Sequence, residues 1–93
     1  MIRVVHISKH AKSDLLRVPE NIANKLKLWI FLIETTGLKA VRQIKGYHDE
    51  PLRGQRQGQR SIRLNRAYRA IYIVQSDGSI DFISIEEVHK HDY

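Results

Sequence analysis

The last third of the chain confines it to a fold built on a sheet. Residues 60 to 88 read "RSIRLNRAYRAIYIVQSDGSIDFISIEEV". In "RSIRLN" (60 to 65), Ile62 and Leu64 alternate with Ser61, Arg63 and Asn65, the period of a strand with one covered face. "YRAIYIV" (68 to 74) is more continuously apolar, as a central strand requires. "SDG" at 76 to 78 supplies hairpin-turn residues, and "SIDFISIEEV" (79 to 88) is the returning strand. Three strands joined by short turns form an antiparallel meander, and its apolar face needs a cover.

The first 37 residues supply that cover. "IRVVHIS" (2 to 8) is rich in β-branched residues and reads as a first strand. Ser8 can cap a short helix running to Val18, with Ala11, Leu15 and Val18 at helical spacing. Pro19 suits the first turn of a second helix, "PENIANKLKLWIFLIETTG", and Gly37 suits its end. Ile22, Leu26, Ile30 and Ile33 give that helix a core stripe. Leu28, Phe31 and Leu32 lie off the stripe; they either pack on the first helix or offer a contact surface to another chain. Between Leu38 and Gln59 periodicity fails, which predicts a long loop with one helical turn near Val41. The expected fold class is therefore α+β: a mostly antiparallel four-stranded sheet with a helical hairpin on one face, in the order β-α-α-β-β-β. Ninety-three residues suit one such domain, 1 to 93, and leave too few to build a second core.

Composition narrows the functions available. The chain has no cysteine, which excludes disulfide frameworks, thiol nucleophiles and cysteine-bound zinc. The start, "MIRVVHISKH", does not read as a secretion signal, and the longest apolar run, "LWIFLI" at 28 to 33, is too short to span a bilayer. A cytoplasmic protein is expected, without membrane, metal or cofactor.

The net charge is +6, and it is unevenly placed. Nine of the 16 cations lie between Lys39 and Arg69, opposed there by Asp49 and Glu50 alone. Within 53 to 69 stand six arginines, Arg53, Arg56, Arg60, Arg63, Arg66 and Arg69, with no lysine and no acid. Such a concentration favours a polyanionic partner, most often nucleic acid, although a solvated face is the plainer alternative. The three-or-four spacing does not make a basic helix, because Gly54, Gly58 and the strand pattern interrupt it. Arg53 and Arg56 fall in the loop, Arg60 and Arg63 on the first meander strand, Arg66 in a turn and Arg69 on the central strand. Alternation sends Arg60 and Arg63 to opposite faces, so Arg63 and Arg69 can meet on the uncovered one. Arginine inside a central strand is costly unless paired or held to an anion. An ion pair with Asp81, Glu86 or Glu87 is one reading, a phosphate contact the other.

The chain ends in His89, Lys90, His91, Asp92 and Tyr93, after the strand expected to pair with that of Arg69. Cleavage of RNA by its own 2′-hydroxyl needs a base, an acid for the leaving oxygen and cations for the charge on phosphorus. Imidazole, carboxylate, phenol and guanidinium can fill those roles without a metal. His6 and His10 read as ordinary surface positions, and His48 in the loop has nothing to fix it near the same face.

The arrangement resembles the RelE/HigB family of bacterial toxins from type II toxin–antitoxin systems. The likeness covers nearly the whole chain and rests on the β-α-α start, on "HDEPLRGQRQGQRSIRLNRAYRAIYIV" (48 to 74), on the hairpin and on "IEEVHKHDY" (85 to 93). It implies an mRNA interferase that enters the ribosomal A site and cuts the message during translation. It also implies a small antitoxin that wraps the toxin and covers its active site. On the family's pattern the active-site strand arginine falls on Arg69 of "YRAIY" and the basic position of the preceding strand on Arg63. The catalytic C-terminal tyrosine falls on Tyr93, with His91 and Asp92 beside it. His89 and Lys90 stand where the family's basic tail residues vary. A loop glutamate or lysine serves some relatives as base; Glu50, His48 and Arg53 occupy that region here, and arginine is a poor base.

These readings make Arg69, Arg63, His91, Asp92 and Tyr93 the expected catalytic set. Arg53, Arg56, Arg60, Arg66, His89 and Lys90 are the expected RNA contacts. Two other functions remain open on the same fold: a ParE-like inhibitor of DNA gyrase, and an RNA-binding module that performs no chemistry.

Overall fold

The computed structural model describes residues 1 to 90. Its elements are β1 (Val5–Ile7), α1 (Lys9–Leu15), α2 (Glu20–Thr36), α3 (Leu38–Arg42), β2 (Glu50–Pro51), β3 (Arg60–Arg63), β4 (Tyr68–Ser76) and β5 (Asp81–Lys90). Single 3-10 turns lie at Lys45–Tyr47 and Gly54–Arg56. The α+β class is as expected, but the sheet has five strands and not four, in the order β1-β5-β4-β3-β2. The added strand, β2, is two residues long and pairs antiparallel with β3. Periodicity cannot announce an element of that length, and its proline is tolerated because β2 is an edge. β1 runs parallel to β5 at the other edge, and the remaining pairs are antiparallel.

Ser8 caps α1 as anticipated, its Oγ accepting from the Ala11 N–H at 3.1 Å. α2 buries Ile22, Leu26, Trp29 and Ile33; Trp29 is an addition to the expected stripe, and Ile30 packs half-buried against the core. The indole packs on Tyr72 of β4 with ring centroids 5.2 Å apart. Ile62, Leu64, Ala70, Ile83, Ile85 and Val88 complete the sheet side of this core. Each aliphatic side chain so enclosed contributes about 1.5–3 kcal/mol. Leu32 joins the margin of the core, whereas Leu28 and Phe31 stay 48% and 58% exposed. α2 ends at Gly37, whose φ of 88° suits glycine. The expected loop is therefore partly structured: Leu38 and Val41 of α3 are buried.

One irregularity positions the site. On β4 and β5, Ile71 lies opposite Glu87 but Tyr72 lies opposite Ile85, which leaves Glu86 as the extra residue of a β-bulge. Strict alternation from the buried Ile83 and Ile85 would turn residues 87 and 89 towards the helices. The bulge resets the phase, so Val88 returns to the core while Glu87 and His89 face outward. α1 fastens the irregular stretch: Ser8 Oγ donates to the Glu86 carbonyl at 3.1 Å, and Asp14 Oδ2 accepts from the Val88 N–H at 2.9 Å.

Candidate active site on the open sheet face

The face away from the helices brings separate parts of the chain together by register alone. Arg63 on β3 lies opposite Arg69 on β4, and Arg69 lies opposite His89 on β5. Ser61 lies between Ile71 of β4 and Glu50 of β2. Together with Leu52 and Arg56 from the loop, Glu50, Ser61, Arg69, Ile71 and His89 line a cleft of about 210 Å³.

Arg69 is the cleft's enclosed cation, with 18% of its side chain exposed. Nη1 donates to Ser61 Oγ at 3.1 Å and to Glu50 Oε1 at 3.4 Å. The acid beside it is thus Glu50, and none of the three expected from the following strand. Asp81 sits at the far end of β5 opposite Ser76. Glu86 is turned aside by the bulge and accepts from Ser84 Oγ at 2.5 Å. Glu87 is taken by Arg56, which reaches over Ile71 to make contacts of 2.8 and 3.4 Å. That hydrogen bond holds the Glu87 carboxyl below its ordinary range and raises Arg56 correspondingly. The Glu50 contact is longer, and Glu50 keeps 46% of its side chain in solvent, so this pair is easily exchanged for another anion.

His89 directs Nδ1 at the Lys90 carbonyl, 3.0 Å away. A neutral ring donating there carries its lone pair on Nε2. That nitrogen is enclosed and has no hydrogen-bond partner among the described residues, with Glu87 Oε1 3.8 Å from it. Lys90 does not join the cleft, because alternation carries it to the other face of β5, where it is exposed.

The arginines divide into kinds that sequence spacing could not separate. Arg60 is on the helix side, where its Nε donates to Asp49 Oδ1 at 2.7 Å. Asp49, with 1% of its side chain exposed, also accepts from the Tyr72 hydroxyl at 2.5 Å. Burial, reinforced by that hydrogen bond, pushes the Tyr72 phenol up to about 12. The expectation that Arg60 contacts RNA therefore meets a guanidinium already committed to an internal carboxylate. Arg53, Arg63 and Arg66 are exposed and have no acidic partner among the described residues. Of the three, register puts Arg63 on the open face beside Arg69. His48, with a left-handed φ of 48°, lies 3.7 Å from Glu50. His91, Asp92 and Tyr93 lie outside the described residues.

Sequence reasoning underrated Glu50 and did not foresee Ser61 or the Asp49–Arg60–Tyr72 cluster. The signal was present: "DE" at 49 and 50 is the one acidic pair in the basic segment, and adjacent strand residues face opposite ways. Among the described residues, no group of three or more histidines and carboxylates is placed to hold a metal ion. Nor is any helix of the described residues long and apolar enough to cross a membrane.

No protein-family model matches the chain, and no curated protein is significantly similar in sequence. Its backbone is nonetheless similar to solved toxins. A YoeB/ParE toxin from Agrobacterium tumefaciens superposes with a TM-score of 0.71 at 20% identity, over 96% of this chain and 99% of that one. YafQ from E. coli strain BL21(DE3) gives 0.71 at 21% identity, over 94% and 91%. The RelBE2 toxin–antitoxin complex from Mycobacterium tuberculosis gives 0.58 at 19% identity, over 95% and 96%. The chain has the RelE-like toxin fold.

Proposed function

We propose that the chain is the toxin of a type II toxin–antitoxin system, a metal-independent and ribosome-dependent mRNA endoribonuclease. The observation that carries this reading is the convergence of Arg69, Glu50 and His89 on one cleft, with Arg63 in register beside Arg69. The reaction joins the 2′-oxygen of one nucleotide to its own 3′-phosphorus and breaks the bond from phosphorus to the 5′-oxygen of the next. Its products are a 2′,3′-cyclic phosphate and a 5′-hydroxyl end. Arg69 and Arg63 neutralise the charge that builds on the non-bridging oxygens. His89 Nε2 takes the 2′-hydroxyl proton. Tyr93 gives a proton to the departing 5′-oxygen, a role that rests on the resemblance of the tail; His91 and Asp92, beside it in sequence, are the other candidates for the base. Arg53 and Arg66 hold flanking message and ribosomal phosphates, a term that weakens as salt rises.

The partner proposed alongside is an antitoxin, as in the RelBE2 complex. Leu28 and Phe31, exposed on neighbouring turns of α2, suit an apolar segment that folds on binding, and the basic face suits acidic residues.

The test is induction of the wild-type chain and of Arg69→Ala without antitoxin, followed by mapping of RNA 5′ ends with translation running and blocked. Translation-dependent ends in the wild type alone are the expected result. Intact messages with damaged DNA would instead support a gyrase inhibitor of the same fold, which needs none of the cleft's side chains.

A further inference from the structure

Arg56 is the ladder's anomaly: it points at the open face, as an RNA contact should, yet it is occupied. Its guanidinium grips Glu87 at 2.8 and 3.4 Å and lies across the cleft above Ile71, the residue opposite Glu87. The carboxylate oxygen that it holds at 3.4 Å is also the one 3.8 Å from the enclosed His89 Nε2. The strap and that nitrogen therefore share one carboxylate.

Two features separate a movable strap from a structural brace. The loop is already closed without it, by Leu52 N–H to the Gln59 carbonyl at 2.9 Å and by β2 on β3. The turn that carries Arg56 is bracketed by Gly54 and Gly58, with φ of 67° and 95° and nothing within 4 Å of either Cβ position. The pair itself is partly exposed, 46% for Arg56 and 27% for Glu87, where such contacts are weak enough to exchange.

We infer that Glu87 is an internal counter-ion, holding Arg56 across the cleft until a phosphate of a bound RNA strand takes its place. This rests on the RNA-cleaving reading above. Glu87 then sets specificity. A lone small anion has to displace the carboxylate unaided, whereas a strand already seated on Arg69 delivers its next phosphate at high effective concentration. When Arg56 moves to the phosphate, Glu87 is left beside His89 and favours the imidazolium that forms when Nε2 accepts a proton.

The experiment measures binding of a 2′-O-methyl RNA oligonucleotide, which lacks the attacking hydroxyl, to the purified full chain over a range of salt. Glu87→Gln should bind about fivefold more tightly at low salt, because its Arg56 reaches the phosphate without first leaving a carboxylate, whereas Arg56→Ala should flatten the log–log salt slope by ~0.7, the loss of one phosphate contact on a single strand. Glu87→Ala should shift binding in the same direction, and the gain should vanish when Arg56→Ala is added to either. Glu34→Gln on exposed α2 removes the same charge at a distance and should give a clearly smaller change. If Glu87→Gln binds more weakly, the strap is a brace and the inference falls; if it merely matches Glu34→Gln, the inference falls too. If no variant binds RNA, wild type included, the RNA reading falls and takes the inference with it.

Discussion

Asp49→Asn is the most informative single change outside the cleft. The carboxylate has 1% of its side chain exposed and carries two contacts, Arg60 Nε at 2.7 Å and the Tyr72 hydroxyl at 2.5 Å. Asparagine keeps the shape and one acceptor but leaves the Arg60 guanidinium without its counter-charge. Breaking a buried ion pair costs roughly 3–5 kcal/mol, and because Arg60 retains 26% exposure the lower end applies. For a domain of this size each kcal/mol lowers Tm by about 4–8 °C, so a loss of at least ~12 °C is expected. Arg60→Met should cost at least as much, since it strands the carboxylate, and Asp49→Leu with Arg60→Met should cost less than the two single changes summed. Thermal and urea unfolding read all of these. The reasoning is refuted if Asp49→Asn costs under ~1 kcal/mol, the worth of a surface pair. A second consequence is local: Asp49 is pinned inside while Glu50 faces the cleft, so the damaged variant should also loosen the Glu50 contact with Arg69.

Other consequences follow from the same contacts. The Tyr72 phenol rises from 10.0 to about 12 in the fold, so its contribution is fully present below pH 10 and is lost as pH climbs towards 12, by about 3 kcal/mol. Alkaline unfolding should show this slope, and Tyr72→Phe should flatten it, leaving a smaller residue from Tyr47, which burial also raises. Leu28→Asp with Phe31→Asp should leave Tm within about 8 °C, since two surface changes of ~0.5 kcal/mol each sum to ~1 kcal/mol. The pair should weaken antitoxin capture at least tenfold in titration calorimetry if α2 carries an interface anchor, with unchanged affinity counting against that surface.

How much of this was legible beforehand depends on the period of each pattern. The meander was, because Ile62, Leu64 and the apolar run 70 to 74 impose a face wherever a strand pairs. The helix α2 was legible too, but Trp29 joins its stripe and Ile30 packs at the margin: the large ring seats on Tyr72, a partner that helical spacing alone does not reveal. The meeting of Arg63 and Arg69 followed from parity and is found. The bulge at Glu86 was not legible, since one inserted residue leaves no periodic trace, and it is the bulge that turns Glu87 and His89 outward. Arg60 shows the limit of counting charges. It belongs to the same ladder as Arg63, but the parity that separates them gives it to a buried carboxylate.

The central claim is that the guanidinium of Arg69 and the imidazole of His89 act on one phosphodiester. The direct measurement is single-turnover cleavage of ribosome-bound message by wild type and Arg69→Ala, with both proteins first confirmed folded by their melting temperatures. Losing a charge-stabilising donor should slow cleavage by about 10²–10³-fold, while stability falls by no more than the ~1 kcal/mol of a partly exposed pair, or about 4–8 °C in Tm. Cleavage by Arg69→Ala at the wild-type rate, with its fold intact, would contradict the account.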